Sequence, residues 1–209
     1  MRGAGFRVEA RYAGPRADAE AIRRLAGCAA NCLQYGVTNH YLDVAGGGFA
    51  RAAMGSPRLR LRIYESGPFC FGQFEHQRQV SAEHTEKSVW PAEQVWDALV
   101  GAMPWLADVA MAHPPRSHEL AMLLPPDAHQ EPDFGGLIYV RSLSYWRVSC
   151  AARDFRITAD FGFTPAVVPS DTMIVETKGD RTLGEPALKA LDLCPLPVSK
   201  FALLSRVAA

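Results

Sequence analysis

The sequence predicts an α+β domain built on an antiparallel sheet or barrel. Segments in which polar and apolar residues alternate outnumber those with helical spacing, and helices fall between only a few of the strands. A length of 209 residues fits one domain, residues 1–209, and is enough to bury a substantial core. No repeat or low-complexity tract divides the chain.

FRVEARY (6–12) alternates and predicts a first strand, and the Ala-rich stretch 15–35, with Ile22, Leu25 and Ala29 in helical spacing, predicts a helix. VTNHYLDV (37–44) predicts a second strand, residues 45–56 a loop and RLRLRIY (58–64) a third strand. FCFGQFEHQRQVSA (69–82) continues as a strand after a turn at Ser66, Gly67 and Pro68. From Pro91 the spacing of Val95, Leu99 and Met103 is helical, with proline at the permitted first turn. Prolines at 104, 114, 115, 125, 126 and 132 leave room for one more short helix and a loose connection. Strand character returns in GLIYVRSLSYWRVSC, DFRITADFGF and TMIVETKGD, and a short helix near 185–193 precedes CPLPVSKFALLS.

Twenty-two basic residues balance twenty-two acidic ones, so the overall charge gives no sign of a nucleic-acid or membrane-surface protein. The apolar runs are too short to span a bilayer and the N-terminus lacks the apolar stretch of a secretory signal, which predicts a soluble, cytoplasmic protein. Five cysteines, at 28, 32, 70, 150 and 194, form no close C-x-x-C pair and read as reduced, mostly buried small residues. Cys28 and Cys32 stand four apart, but nothing near them completes a metal site. The six histidines show no paired metal spacing, and the glycines at 46–48 lack the Gly-Lys-Ser/Thr of a phosphate loop. Trp90, Trp96 and Trp105 are placed to anchor the middle helix, and the few helices leave part of the outer apolar wall as a candidate homo-oligomer contact.

Nearly every strand has a charged face. Arg58, Arg60 and Arg62 alternate with Leu59, Leu61 and Ile63. Arg7, Glu9 and Arg11 share a face, as do Gln73, Glu75 and Gln77; Tyr139, Arg141, Tyr145 and Arg147; Arg156, Thr158 and Asp160; and Ile174, Glu176 and Lys178. Arginine's fork matches phosphate or carboxylate oxygens two at a time. Cations converging inside a barrel repel one another unless a polyanion lies among them, and carboxylates between them suit a hard divalent cation escorting a triphosphate.

In motif order the chain resembles the VTC-type polyphosphate polymerase domain of the triphosphate tunnel metalloenzyme superfamily. EARY resembles the family's Glu-x-Lys-Tyr strand, HYLDV its Tyr-Phe-Asp segment and Arg60-x-Arg62 its Arg-x-Arg strand. FEHQRQ with EKSVW, then YVRSLSYW, FRITAD, IVETKGD and VSKF, continue the likeness over residues 6–204. Gln77, Val89 and Pro197 stand where the family carries basic residues.

The resemblance implies an eight-stranded antiparallel tunnel with short helices outside, in which a cytosolic enzyme transfers the γ-phosphoryl group of ATP to polyphosphate with Mn²⁺ or Mg²⁺. It implies a phosphate clamp of Arg60, Arg62, Lys87, Arg156, Lys178 and Lys200. Arg11, Arg58, Tyr41, Arg141, Tyr145 and Ser199 would be further substrate contacts, and Glu176, Glu75 and Glu9 the metal ligands. Two alternatives stay open: a triphosphate hydrolase of the same superfamily, similar to CYTH proteins, and a binding module for polyphosphate or nucleotide without turnover.

Overall fold

The structure is a computed structural model that describes residues 8–26, 31–44, 58–66, 69–79, 85–91, 96–108, 136–151, 155–179 and 183–207. In chain order the elements are β1 (Val8–Pro15), α1 (Ala19–Ala26), β2 (Asn31–Val44), β3 (Arg58–Ser66), β4 (Phe69–Gln79), β5 (Thr85–Pro91), α2 (Trp96–Ala102), β6 (Leu137–Ala151), β7 (Phe155–Thr164), β8 (Thr172–Gly179), α3 (Glu185–Ala190), β9 (Cys194–Pro195) and α4 (Lys200–Val207). The strands form one sheet in the order β5-β4-β3-β2-β6-β7-β8-β1-β9. Its first eight strands match the eight-stranded antiparallel set that the resemblance implies, and the two-residue β9 is an addition.

Among the described residues the sheet is not closed. The second edge of β1 carries β9, through Tyr12 opposite Pro195 and Ala13 opposite Cys194.

Two compact units divide the chain, Met1–Gly36 with Leu143–Ala209 and Val37–Ser142. In the first, Tyr12, Ile22, Val148, Cys150, Phe155, Ile157, Phe161, Met173 and Val175 form a core against one face of β1 and β6–β8. α1 joins this core through Ile22, which is fully buried. The helix starts where Asp18 Oδ1 accepts the Ala21 N–H at 2.7 Å. In the second unit, Leu42, Leu59, Leu61, Ile63, Phe74, Leu99, Met103, Leu106 and Leu137 form a separate core. Leu59, Leu61 and Ile63 are the apolar half of the Arg-x-Arg strand, so alternation alone assigns β3 its inward and outward sides. Leu99 carries α2 onto this core, with Trp96 packed at its margin, while Trp105 stays 44% exposed. Trp105 meets Tyr139 edge-on at 4.9 Å, which makes Tyr139 a packing residue.

Several elements differ from expectation. The helix predicted over 15–35 covers only Ala19–Ala26, and Asn31–Gly36 belongs to β2. The reason is tertiary: Cys32 is bonded to Cys150 on β6, and Val37 is buried farther along the same strand. Cys32 and Cys150 are therefore oxidised, which corrects the reduced reading for these two residues. Cys28 lies outside the described residues, as do the loop at 45–56, residues 92–95 and most of the proline-rich segment. β5 and α4 are elements that the alternation and spacing had not marked. No helix among the described residues is long and apolar enough to cross a membrane.

Gly14 marks a close approach. A Cβ there would lie 2.6 Å from the Asp192 carbonyl oxygen and 2.9 Å from the Leu193 side chain. Backbone cannot give way as a flexible side chain can, so Gly14→Ala should cost about 1–3 kcal/mol through overpacking, read as a lower Tm in thermal unfolding. An unchanged Tm would remove this contact as a constraint on the chain.

Candidate functional site

Each unit carries its own charged cluster on the side of its strands opposite the core. In the first unit the ladders set the register. Arg11 on β1 is opposite Glu176 on β8, Glu176 is opposite Thr158 on β7, and Thr158 is opposite Ser149 on β6. The adjacent row places Ile174, Asp160 and Arg147 side by side. Residues directly opposed across strands share a face, so the two rows bring Arg11, Glu176, Thr158, Asp160 and Arg147 together. Lys200, the first residue of α4, reaches the same face: its Nζ donates to Glu176 Oε1 at 2.6 Å and lies 2.9 Å from Asp160 Oδ2.

The guanidinium of Arg147 forks onto both oxygens of Asp160, Nε to Oδ1 at 2.6 Å and Nη2 to Oδ2 at 2.8 Å, and also donates to the Tyr145 hydroxyl at 3.3 Å. Arg11 Nε donates to Glu176 Oε1 at 3.1 Å. Asp160 is fully buried, and Glu176, Lys200 and Arg147 are nearly so. Burial opposes ionisation of both carboxylates, yet Lys200 and Arg147, with Lys178 assisting at Glu176, hold Glu176 far below the usual carboxylate range. Arg147 and Lys200 likewise lower Asp160 against its burial and against repulsion from Glu176. Burial also opposes the charge on Lys200, but the two carboxylates and Tyr145 raise its pKa overall. Arg147 is raised in the same way, its burial overcome chiefly by Asp160. Among the described side chains, the part of this face around Asp160 and Glu176 holds the cations Arg11, Arg147, Lys178 and Lys200.

The second unit repeats the arrangement on β3 and β4. Arg60 is opposite Glu75 and Arg62 opposite Gln73. Glu75 is fully buried and receives the Nε of Arg60 on one oxygen and Nη1 of Arg62, at 3.3 Å, on the other. Arg62 Nε also donates to Asn39 Oδ1 at 2.8 Å, and Tyr41 is buried two residues farther along that side of β2. Among the described residues no group of three or more His, Cys, Asp or Glu is placed to hold a metal ion.

The residues expected from the sequence divide accordingly. Arg11, Lys178, Lys200, Tyr145 and Glu176 meet in the first unit; Arg60, Arg62 and Glu75 meet in the second, with Tyr41 on the same side of β2. Arg141 is half-buried on the part of β6 belonging to the second unit. Arg156 is exposed at the start of β7, opposite Lys178, with none of the burial of Asp160. Ser199 caps a helix: its Oγ accepts the Ala202 N–H at 3.2 Å at the start of α4. The backbones of Arg58, Lys87 and Glu9 fall on β3, β5 and β1, with their side chains outside the described set. Asp160 and Arg147 form the buried centre of the first cluster although the sequence reading assigned them no role. Both stand on the charged faces that alternation marks, and burial is what separates Asp160 from Arg156.

Sequence comparison finds no matching family model and no matching curated protein. Comparison of structures does. HpAC1 from Hippeastrum, a candidate adenylyl cyclase with a dominant triphosphatase activity, superposes with a TM-score of 0.57 at 15% identity, over 97% of this chain and 96% of that one. The chain shares its fold. A candidate adenylate cyclase from Vibrio parahaemolyticus gives a TM-score of 0.53 at 13% identity, over 97% of this chain and 99% of that one. The PH1012 protein of Pyrococcus horikoshii gives 0.51 at 10% identity, over 94% and 99%.

A pH dependence follows from the depressed carboxylates. Their ionised pairs stabilise the fold fully above the unfolded-state value of about 4 and lose that contribution as pH falls through the lower folded values. Glu176→Gln should lower stability at pH 7 by about 3–5 kcal/mol, because it leaves Lys200 and Arg11 short of a charge, and should flatten the acid-side fall of Tm. Melting curves from pH 2 to 7 check both; a variant as acid-sensitive as the wild type would separate Glu176 from acid unfolding.

Proposed function

We propose that the chain is a metal-dependent phosphohydrolase acting on a triphosphate, with the first unit's charged face as a phosphate and metal site. The observation that carries this reading is the pair Asp160 and Glu176, held ionised among four cations on a buried face. Buried ion pairs are poor stabilisers compared with apolar residues of the same volume, so their concentration on one face supports a binding role. The fold shared with HpAC1 supports the same reading, since that protein's dominant activity is on a triphosphate.

Asp160 and Glu176 are hard oxygen donors and fit Mg²⁺ or Mn²⁺, which bind through one or two carboxylates and complete their shell with water and substrate oxygens. Such an ion, when bound, supplies charge neutralisation at the phosphates. Arg11, Arg147, Lys178 and Lys200 are the groups that would bind and orient phosphate oxygens and offset the charge that builds on them in the transition state. The reaction adds water across a P–O–P bridge, releasing phosphate and the shortened chain.

A second reading is the polyphosphate polymerase, in which the end of a phosphate chain replaces water. What favours it is the terminal Ser-Lys segment, by which the sequence resembles polymerases and which here delivers Lys200 to both carboxylates.

Purified protein incubated with ATP or tripolyphosphate and Mg²⁺ or Mn²⁺ should release free phosphate. Arg11→Gln, a change at a partly exposed cation, should lower kcat/KM roughly 10- to 100-fold, the worth of one charge-assisted contact. ADP accompanied by polymer would replace hydrolase with polymerase. Tight triphosphate binding without any product would mean a binding module.

A further inference from the structure

Resting on that phosphate-site reading, we propose that the hydroxyl of Thr158 is a substrate-binding group that donates a hydrogen bond to a phosphate oxygen of the triphosphate. Thr158 is opposite Glu176 and two residues before Asp160 on β7, so it stands in the middle of the charged face. It is 5% exposed, and among the described residues its Oγ1 has no hydrogen-bond partner. A buried hydroxyl without a partner is costly, and native structures rarely keep one without a use.

The carboxylates beside it are held by cations. Glu176 Oε1 receives Arg11 and Lys200, and both Asp160 oxygens receive Arg147. Among the described side chains cations outnumber carboxylates on this face, which suits an anion as the missing partner, and a rotating hydroxyl can turn its proton toward one. Thr177 supplies the internal comparison. Its hydroxyl is also buried and unpartnered, but it sits between Ala10 and Ile157, both part of the apolar packing, on the other face of β8.

The test is calorimetric titration with inorganic tripolyphosphate and Mg²⁺, paired with thermal unfolding, on wild type, Thr158→Val, Thr158→Ser and Thr177→Val. Thr158→Val keeps shape and removes the unpaired hydroxyl, so it should melt at or above the wild-type temperature while binding roughly tenfold or more weakly. Thr158→Ser should regain most of the affinity, and Thr177→Val should bind like wild type. Equal binding by Thr158→Val and wild type would overturn this assignment and leave the phosphate site standing. A lowered melting temperature with Thr158→Ser as weak as Thr158→Val would make the residue structural and overturn it too. Failure of the wild type to bind tripolyphosphate would overturn the phosphate site itself, and this inference with it.

Discussion

Asp160 and Glu176 share one buried face, and each makes the other harder to ionise. Lys200 resolves the conflict by placing one ammonium group within reach of both. Its position depends on α4, whose first turn is set by the Ser199 cap and whose apolar side buries Phe201 and Leu204. The C-terminal helix therefore acts on the site through a single side chain at its N-terminal end. The register of β7 and β8 is tied to the same contact in turn, since a one-residue slip would carry Asp160 or Glu176 to the apolar face, away from Lys200.

The second unit solves a related problem differently. Glu75 is fully buried between two guanidiniums that both come from the neighbouring strand. In both units the ion pairs of the polar face gain little over apolar residues of the same volume, although removing one partner alone is costly. What holds each unit together is the apolar face, Leu59, Leu61, Ile63 and Phe74 in one and Ile157, Phe161, Met173 and Val175 in the other. Folding and chemistry are thus divided between the two sides of the same strands.

That division is why the charged faces could be read from the sequence. Period-two alternation gives the face of every residue on a regular strand, and it places Arg60, Arg62, Glu75, Glu176 and Lys178 correctly. It does not give depth. Arg156, Thr158 and Asp160 share a face, but only the folded chain shows Arg156 in solvent and Asp160 at zero exposure. Lys200 came from motif resemblance, because α4 is too short and too weakly patterned to stand out. The first turns of β2 were hidden by an Ala-rich stretch whose local preference is helical, and the bond that settles the matter joins cysteines 118 residues apart.

The Cys32–Cys150 bond also changes the covalent topology of the chain. The whole of Val37–Ser142 lies inside the loop it closes, so one of the two units is in covalent terms a segment of a ring. A single backbone cut anywhere in that ring opens it without releasing a fragment. Even in the unfolded state the start of β2 stays beside the end of β6, so the loss of freedom needed to bring those two distant parts of the chain together is borne largely by the bond rather than by folding.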